Sequence, residues 1–164
     1  MLRFLMVGAM MALAMSVPTA ASAQVVEGEE HCVVNIQTSD VLNVRAKPSA
    51  SAKLIATLDY AECGVIVDTC AGNWCLIDTD YATGWVNGKY IAMVSPALYC
   101  VTGVAQGDKL NLRAYPARSS KVIAKLGRHQ CEIAFLPYAV GSWQKIRVEG
   151  DLEGWVNRKY LSGE

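Results

Sequence analysis

Six cysteines and two histidines are the residues of this chain best suited to chemistry. His31 adjoins Cys32, and an imidazole beside a thiol could activate that thiol as a nucleophile. A zinc site could instead use Cys63, Cys70, Cys75 and one histidine as ligands. Both possibilities require reduced cysteines, so the redox state of the compartment decides whether they or disulfide bonds are favoured.

The beginning of the chain indicates that compartment. Arg3 precedes an uncharged apolar run over residues 4–17, and residues 18–23 end in Ala-Ser-Ala, a pattern that signal peptidase cleaves. The run is shorter than the roughly 20 residues that cross a bilayer. We therefore expect a signal peptide at residues 1–23, a mature chain that begins at Gln24, and a periplasmic or secreted protein. An even number of cysteines in such a protein favours disulfides.

The charge balance excludes some classes of partner. Fifteen basic residues offset fifteen acidic ones, so the chain lacks the positive field that drives nonspecific nucleic-acid binding. It also lacks a basic amphipathic stretch that would hold it on a membrane after signal cleavage. We expect neither nucleic acid nor stable membrane insertion, no cofactor, no metal, and a monomer.

Acidic residues form two clusters that could be considered for catalysis. Asp78 and Asp80 form one, and Glu149, Asp151 and Glu153 form the other. Paired carboxylates hydrolyse glycosidic bonds when a cleft raises the pKa of one of them. Both clusters fall at the same predicted hairpin turn, which is an exposed place, so we interpret them as solvated turns and assign no catalytic residue.

The chain repeats itself, which constrains the elements that position these residues. Residues 32–91 align with residues 100–161, and about two dozen of about sixty positions are identical. The best-matched blocks are residues 41–48 with 109–116, 53–58 with 121–126, and 84–90 with 154–160. The second copy carries two one-residue insertions, which we place in turns because an extra residue costs least there.

Each copy has the pattern of a small all-β unit. Leu42 and Val44 alternate with Asn43 and Arg45, which is typical of a half-buried strand. Short runs of this kind are separated by closely spaced turn residues, and no helical stripe follows residues 1–23. The pattern favours a small barrel.

The repeated blocks resemble the bacterial SH3 (SH3b) domain family. They read Leu-Asn-Val-Arg-Ala-x-Pro-Ser, Ile-Ala-x-Leu and Gly-Trp-Val-Asn-x-x-Tyr, and they cover nearly all of the mature chain twice. The resemblance implies an all-β protein of two tandem, disulfide-stapled SH3-like barrels. We expect an N-terminal segment at 24–31, a first domain at 32–92, a linker at 93–98 and a second domain at 99–164.

The repeat selects among the fifteen pairings that six cysteines allow. Cys32 and Cys100 are equivalent, as are Cys63 and Cys131, so we expect the bonds Cys32–Cys63 and Cys100–Cys131. Each would close a loop of about thirty residues and contribute roughly 3–4 kcal/mol. Cross-pairing would instead require an exchange between the copies.

The remaining two cysteines make the copies unequal. Cys70 and Cys75 have no counterparts, because we align Tyr138 and Gln144 with them. The two cysteines flank one tight hairpin, so we expect a local bond that holds the turn presenting Trp74.

Aromatic residues supply the candidate ligand site. Trp74 and Trp143 each lie just after a glycine-containing hairpin turn. In the wider SH3 fold a tryptophan in a comparable place lines the peptide groove, so Tyr60, Tyr81 and Tyr115 become candidate neighbours. These five residues are the predicted ligand-binding set.

Arginines and the other tryptophans receive structural interpretations. Arg45 and Arg113 precede a proline-containing turn, where each guanidinium could contact a ligand or donate to turn carbonyls; we favour the second role. Trp85 and Trp155, within Gly-Trp-Val, are expected to pack against the barrel.

These observations predict an exported, non-catalytic binding module. The resemblance implies that its ligand is a cell-wall (peptidoglycan) peptide or an extended protein segment. The alternative is a periplasmic adaptor or accessory protein that joins partners in a complex. An enzyme is the third and weakest hypothesis, since no residue set on the chain supports it.

Overall fold

The computed structural model describes residues 25–163, which form two antiparallel sheets of seven strands each. The predicted signal peptide lies outside these residues. The first half of the chain contains β1 (Glu30–Val33), β2 (Val41–Arg45), β3 (Leu54–Asp59), β4 (Val65–Ala71), β5 (Trp74–Asp78), β6 (Thr83–Asn87) and β7 (Ile91–Met93). The second half contains β8 (Leu98–Val101), β9 (Leu110–Arg113), β10 (Val122–Leu126), β11 (Ile133–Val140), β12 (Trp143–Val148), β13 (Leu152–Asn157) and β14 (Leu161–Gly163).

The two sheets have the same topology. Their strand orders are β3-β2-β6-β5-β4-β1-β7 and β10-β9-β13-β12-β11-β8-β14, so each strand has a counterpart seven strands later. Before the last strand of each half lies a three-residue 3-10 turn, Gly88–Tyr90 or Arg158–Tyr160. Within residues 25–163 no helix is long and apolar enough to cross a membrane. The structure confirms the predicted all-β class and its pair of small SH3-like barrels.

Each half encloses its own core. The predicted alternation is confirmed in β2, where Leu42 and Val44 are buried while Asn43 and Arg45 are half-exposed. The first core comprises Val33, Leu42, Val44, Leu58, Val65, Val67, Cys75, Ile77, Val86 and Ile91. The second is built at largely equivalent positions from Val101, Val104, Leu110, Leu112, Leu126, Ile133, Ile146, Val148 and Val156. Cores of this size are marginal by themselves, which explains the need for cross-links.

All three predicted disulfides are present. Cys32 bonds to Cys63, Cys100 bonds to Cys131, and Cys70 bonds to Cys75. The first two bonds join the opening strand of each half to the residue two positions before its fourth strand. The disulfides also exclude the zinc site that the sequence left open, because its three thiols are already consumed.

One of the two insertions of the second half, the one near the β11–β12 hairpin, does not lie in a turn, contrary to our expectation. Strand pairing matches Cys70 with Cys75 and Ala139 with Gln144, so Ala139 and not Tyr138 occupies the place of Cys70. The extra residue lies inside β11, where the register shifts between Phe135 and Ala139. A strand absorbs such a residue as a bulge, which bends it locally.

That irregular stretch of β11 forms the interface between the two halves. Leu136 and Tyr138 are buried in a cluster with Cys32, Val34 and Ala92 of the first half. The Tyr138 hydroxyl donates a hydrogen bond to the carbonyl oxygen of Val33 at 2.7 Å. The halves are therefore joined by a packed contact as well as by the chain.

An ion-pair network borders this interface. The Arg147 guanidinium contacts Glu30 of the first half at 2.9 Å and Glu153 at 3.2 Å, and Lys145 contacts Glu153 at 2.7 Å. Glu153 therefore lies in a strand within a charge network, which corrects its assignment to a solvated turn. The other four acidic residues of the two predicted clusters, Asp78, Asp80, Glu149 and Asp151, are exposed as expected.

His31 has a structural role, and it cannot activate Cys32 because that sulfur is in a disulfide. Its side chain is fully buried, its Nδ1 lies 2.8 Å from the Glu29 carbonyl oxygen, and its Nε2 accepts a hydrogen bond from the Val26 N–H. Both contacts require the neutral ring protonated on Nδ1. Burial lowers the pKa of His31, although the hydrogen bond to Glu29 and the nearby Glu29 charge oppose that effect.

The buried imidazole predicts a pH-dependent stability. The pKa of His31 is lower in the folded chain than its ordinary value of 6.5, so the unfolded chain binds more protons just below that pH. We expect the free energy of unfolding to fall as the pH drops below 6.5, by up to about 1.4 kcal/mol per pH unit. Urea unfolding between pH 7.5 and 5 should show this slope. His31→Gln should flatten it, while His129→Gln, at an exposed position, should keep it.

Glycine at the centre of the Gly-Trp-Val block predicts a second effect on stability. A methyl group added at Gly154 would lie 2.7 Å from Leu112 Cγ and 3.0 Å from the Arg113 carbonyl oxygen. Gly154→Ala should therefore lower the free energy of unfolding by about 1–3 kcal/mol through overpacking. Gly127→Ala is the control, because nothing lies within 4 Å of its added methyl group. Equal stability of the two variants would contradict the close approach of β13 and β9.

Candidate functional site

Two equivalent grooves, one in each half, are the candidate functional site. The Trp74 groove has a volume of about 530 Å³ and is lined by Asn43, Arg45, Trp74, Asn87, Lys89 and Tyr90, among others. The Trp143 groove has a volume of about 540 Å³ and is lined by the counterparts Asn111, Arg113, Trp143, Asn157, Lys159 and Tyr160. Each copy of the repeat therefore has the same groove as well as the same fold.

A tight hairpin positions each tryptophan. Gly72 and Gly141 occupy the first place of their two-residue turns with positive φ, which glycine adopts without steric cost. The strand after the turn begins with Trp74 or Trp143, and both indoles are half-buried. Trp74 pairs across the sheet with Asn87, in the same register that places Trp143 opposite its own asparagine.

The asparagines at the ends of β6 and β13 organise the far side of each groove. The Asn87 side-chain oxygen accepts a hydrogen bond from the Lys89 N–H at 3.2 Å, and Asn157 caps its own 3-10 turn through Lys159 at the same distance. This cap holds the short turn that presents a lysine and a tyrosine to the groove. The lysine ammonium groups lie 4.5 and 4.6 Å from the centroids of the tyrosine rings next to them in sequence.

Two further asparagines contribute amides that have no hydrogen-bond partner among residues 25–163. Asn43 in β2 and Asn111 in β9 are half-exposed and line their respective grooves. Neither side chain forms a hydrogen bond with another residue in the described range 25–163. Each amide can thus offer a donor and an acceptor to a bound molecule.

The two arginines have the structural role that the sequence analysis favoured. Arg45 donates to the Ala52 carbonyl oxygen at 2.8 Å, and Arg113 donates to the Ser120 carbonyl oxygen at 2.7 Å. Each guanidinium also forms part of its groove wall. The hydrogen bond fixes its position there, so the structural role and a contact with a ligand are compatible.

The three tyrosines predicted as neighbours of Trp74 and Trp143 lie apart from both tryptophans. Trp74 and Trp143 line separate grooves, one in each half. Tyr60 lies in a cleft of about 220 Å³ between the halves, with its ring centroid 5.9 Å from that of Tyr138. Tyr81 is 61% exposed and donates its hydroxyl hydrogen bond to Glu62, and Tyr115 is 72% exposed. None of the three tyrosines lines either tryptophan groove.

Sequence reasoning missed the asparagine, lysine and tyrosine components of the grooves. Their signal was present in the repeat, because Asn43, Asn87, Lys89 and Tyr90 are identical to their counterparts in the second copy. We interpreted these identities as part of the fold signature. A polar residue that recurs on the outer side of a strand has no packing reason to be retained, and that argument could have identified the asparagines.

The two grooves differ in how their hairpins are held. In the first half the Cys70–Cys75 bond crosses the hairpin next to Trp74. In the second half Gln144 takes the place of Cys75 and is buried, and its amide donates to the carbonyl oxygens of Leu136 at 2.7 Å and Tyr138 at 3.1 Å. A side-chain hydrogen-bond network therefore replaces the covalent bond.

Comparison with solved structures gives weak overall similarity. The chain resembles NlpC2 from Trichomonas vaginalis with 11% sequence identity and a TM-score of 0.39, covering 83% of this chain and 48% of that one. It resembles NlpC1 from Trichomonas vaginalis with 10% identity and a TM-score of 0.39, covering 92% and 51%. For Ly7917 the identity is 15%, the TM-score 0.27 and the coverage 79% and 63%. The chain spans about half the length of the two NlpC structures.

No curated protein matches the chain, but one family model matches part of it. The model of the bacterial SH3 domain matches residues 40–92, which run from just before β2 into β7 and include most of the Trp74 groove. The chain therefore contains a bacterial SH3 domain at residues 40–92.

Proposed function

We propose that this chain is an exported binding module in which both halves are SH3b domains and each groove binds a cell-wall peptide or an extended protein segment. The main support is the duplicated groove, whose tryptophan, two asparagines, arginine, lysine and tyrosine recur at equivalent positions. By contrast, residues of the same hairpins outside the grooves have diverged: the exposed Asp68 and Thr69 of the first half are replaced in the second half by a stretch in which Leu136 and Tyr138 are buried.

The groove chemistry suits an extended peptide. A half-buried indole offers a flat apolar face to a side chain or a peptide plane, while its neighbours remain polar. The unpartnered amides of Asn43 and Asn111 can each pair with a backbone N–H and C=O of such a ligand. Neither groove is lined by a cysteine, histidine, serine or threonine, and each is lined by a single carboxylate, so binding is the role that the lining supports best.

Two linked grooves raise the strength of attachment to a repetitive polymer. Once one groove is occupied, the second meets its ligand at an effective concentration set by the connection between the halves. The packed contact of Tyr138 with the first half keeps the two grooves in one arrangement. Weak individual sites can therefore retain the protein on a cell-wall layer. The disulfides fit an oxidising compartment, either periplasmic or extracellular.

The proposal predicts that both tryptophans are needed for retention. Purified peptidoglycan sacculi should retain the wild-type chain in a sedimentation assay. Trp74→Ala or Trp143→Ala alone should reduce the retained fraction at least about tenfold, because avidity is lost with either groove. The double variant should not be retained. Tyr81→Ala is the matched control, since it removes an exposed aromatic residue outside both grooves.

Two other outcomes would lead to different functions. If the double variant is retained normally and circular dichroism verifies its fold, the tryptophan grooves are not the binding sites. A wild-type chain that is not retained on sacculi, but is recovered in periplasmic cross-links with one protein, would favour the adaptor alternative. Release of soluble fragments from sacculi would support an enzyme.

A further inference from the structure

The two grooves are lined by many equivalent residues but differ in charge. The Trp143 groove is lined by four basic side chains, Lys109, Arg113, Arg118 and Lys159, and by one acidic side chain, Asp108. The Trp74 groove is lined by two basic side chains and one acidic one: Arg45, Lys89 and Asp40. The difference arises at two positions, where Lys109 and Arg118 replace Val41 and Ala50 of the first half.

These two additional cations are available to a ligand. Lys109 and Arg118 are exposed, and neither side chain has an ion-pair or hydrogen-bond partner in the described range 25–163. The ion pairs of that range lie elsewhere, among Glu30, Lys145, Arg147 and Glu153. The charges of Lys109 and Arg118 therefore have no ion-pair partner among residues 25–163.

The third cation is held in place. Arg113 is fixed by its hydrogen bond to the Ser120 carbonyl oxygen, so part of its guanidinium points to one defined place in the wall. A fixed guanidinium binds a planar carboxylate with little further loss of side-chain entropy. The single acidic residue, Asp108, already accepts a hydrogen bond from the Lys109 N–H at 2.7 Å.

From this asymmetry we infer that the two grooves differ in selectivity: the Trp143 groove binds a peptide segment that carries a carboxylate, and the Trp74 groove has a weaker preference for such a segment. The inference rests on the proposed function, because it assigns a ligand preference to each of the two proposed grooves. The carboxylate can belong to an acidic side chain or to a free carboxyl terminus. Its chemistry is the same in both cases, and charge complementarity identifies it.

Each groove carries its own spectroscopic reporter, which makes the inference testable on the full mature chain. The indole N–H signals of Trp74 and Trp143 can be followed separately by NMR once Trp→Phe variants have assigned them. The probes are muropeptides released from sacculi by a muramidase, before and after amidation of their carboxylates. We expect the native muropeptides to bind the Trp143 groove about three- to tenfold more tightly than the Trp74 groove at low salt.

Exchange of the two positions provides matched variants. Lys109→Val with Arg118→Ala should remove the preference of the Trp143 groove, and Val41→Lys with Ala50→Arg should give the Trp74 groove the same preference. All four positions are exposed, so these changes should leave the fold intact. Amidation of the muropeptides or 0.5 M salt should remove the preference in the wild-type chain, since exposed charges are screened.

Synthetic peptides distinguish the two carboxylate sources. One carries a single glutamate and an amidated carboxyl terminus, and the other carries glutamine and a free terminus. Tighter binding of either one to the Trp143 groove identifies its source. Equal affinity of both grooves for native and amidated probes would overturn the inference while leaving the proposed function intact. If neither indole signal shifts and sacculi retain no protein, the proposed function fails and the inference fails with it.

Discussion

Each barrel depends on holding its first strand in the interior of the sheet. β1 pairs with β4 on one side and with β7 on the other, so strands from both ends of the half must be held together. A core of about ten side chains offers little free energy to offset the entropy of closing such loops. The Cys32–Cys63 bond removes much of that cost, and the equivalent bond in the second half does the same for β8. The strands that line the grooves, such as β2, β5 and β6, belong to the same sheet and depend on its closed arrangement.

Features that depend on spacing and repetition could be predicted from the sequence. The alternation around Leu42 and Val44, the three disulfides and the role of Arg45 follow from local patterns or from comparison of the two copies. The interface could not be predicted in this way, because an inserted residue in a strand looks the same as one in a turn. Tyr138 was therefore aligned with Cys70, although it packs against the other half.

The candidate site was predicted only in part, for a related reason. Trp74 and Trp143 could be placed from their hairpins, which are local structures. Their neighbours come from β2, β6 and the 3-10 turn. These elements are far apart in the sequence, and only the curvature of the barrel brings them together, so sequence spacing does not indicate that they are close. Tyr81 and Tyr115 were chosen by residue type, and their high exposure shows that residue type does not report position.

The contact between the halves has a direction, because each half contributes different residues to it. The second half contributes Leu136, Tyr138 and Arg147 to the contact. In the first half, Val33 accepts the hydrogen bond of Tyr138 and Glu30 pairs with Arg147. Such a head-to-tail contact can in principle continue into a filament. At equivalent positions, however, the first half presents Asp78 in place of Arg147, and the second presents Leu98 in place of Glu30. A further barrel placed in this geometry would therefore lack the Arg147–Glu30 ion pair that joins these two halves.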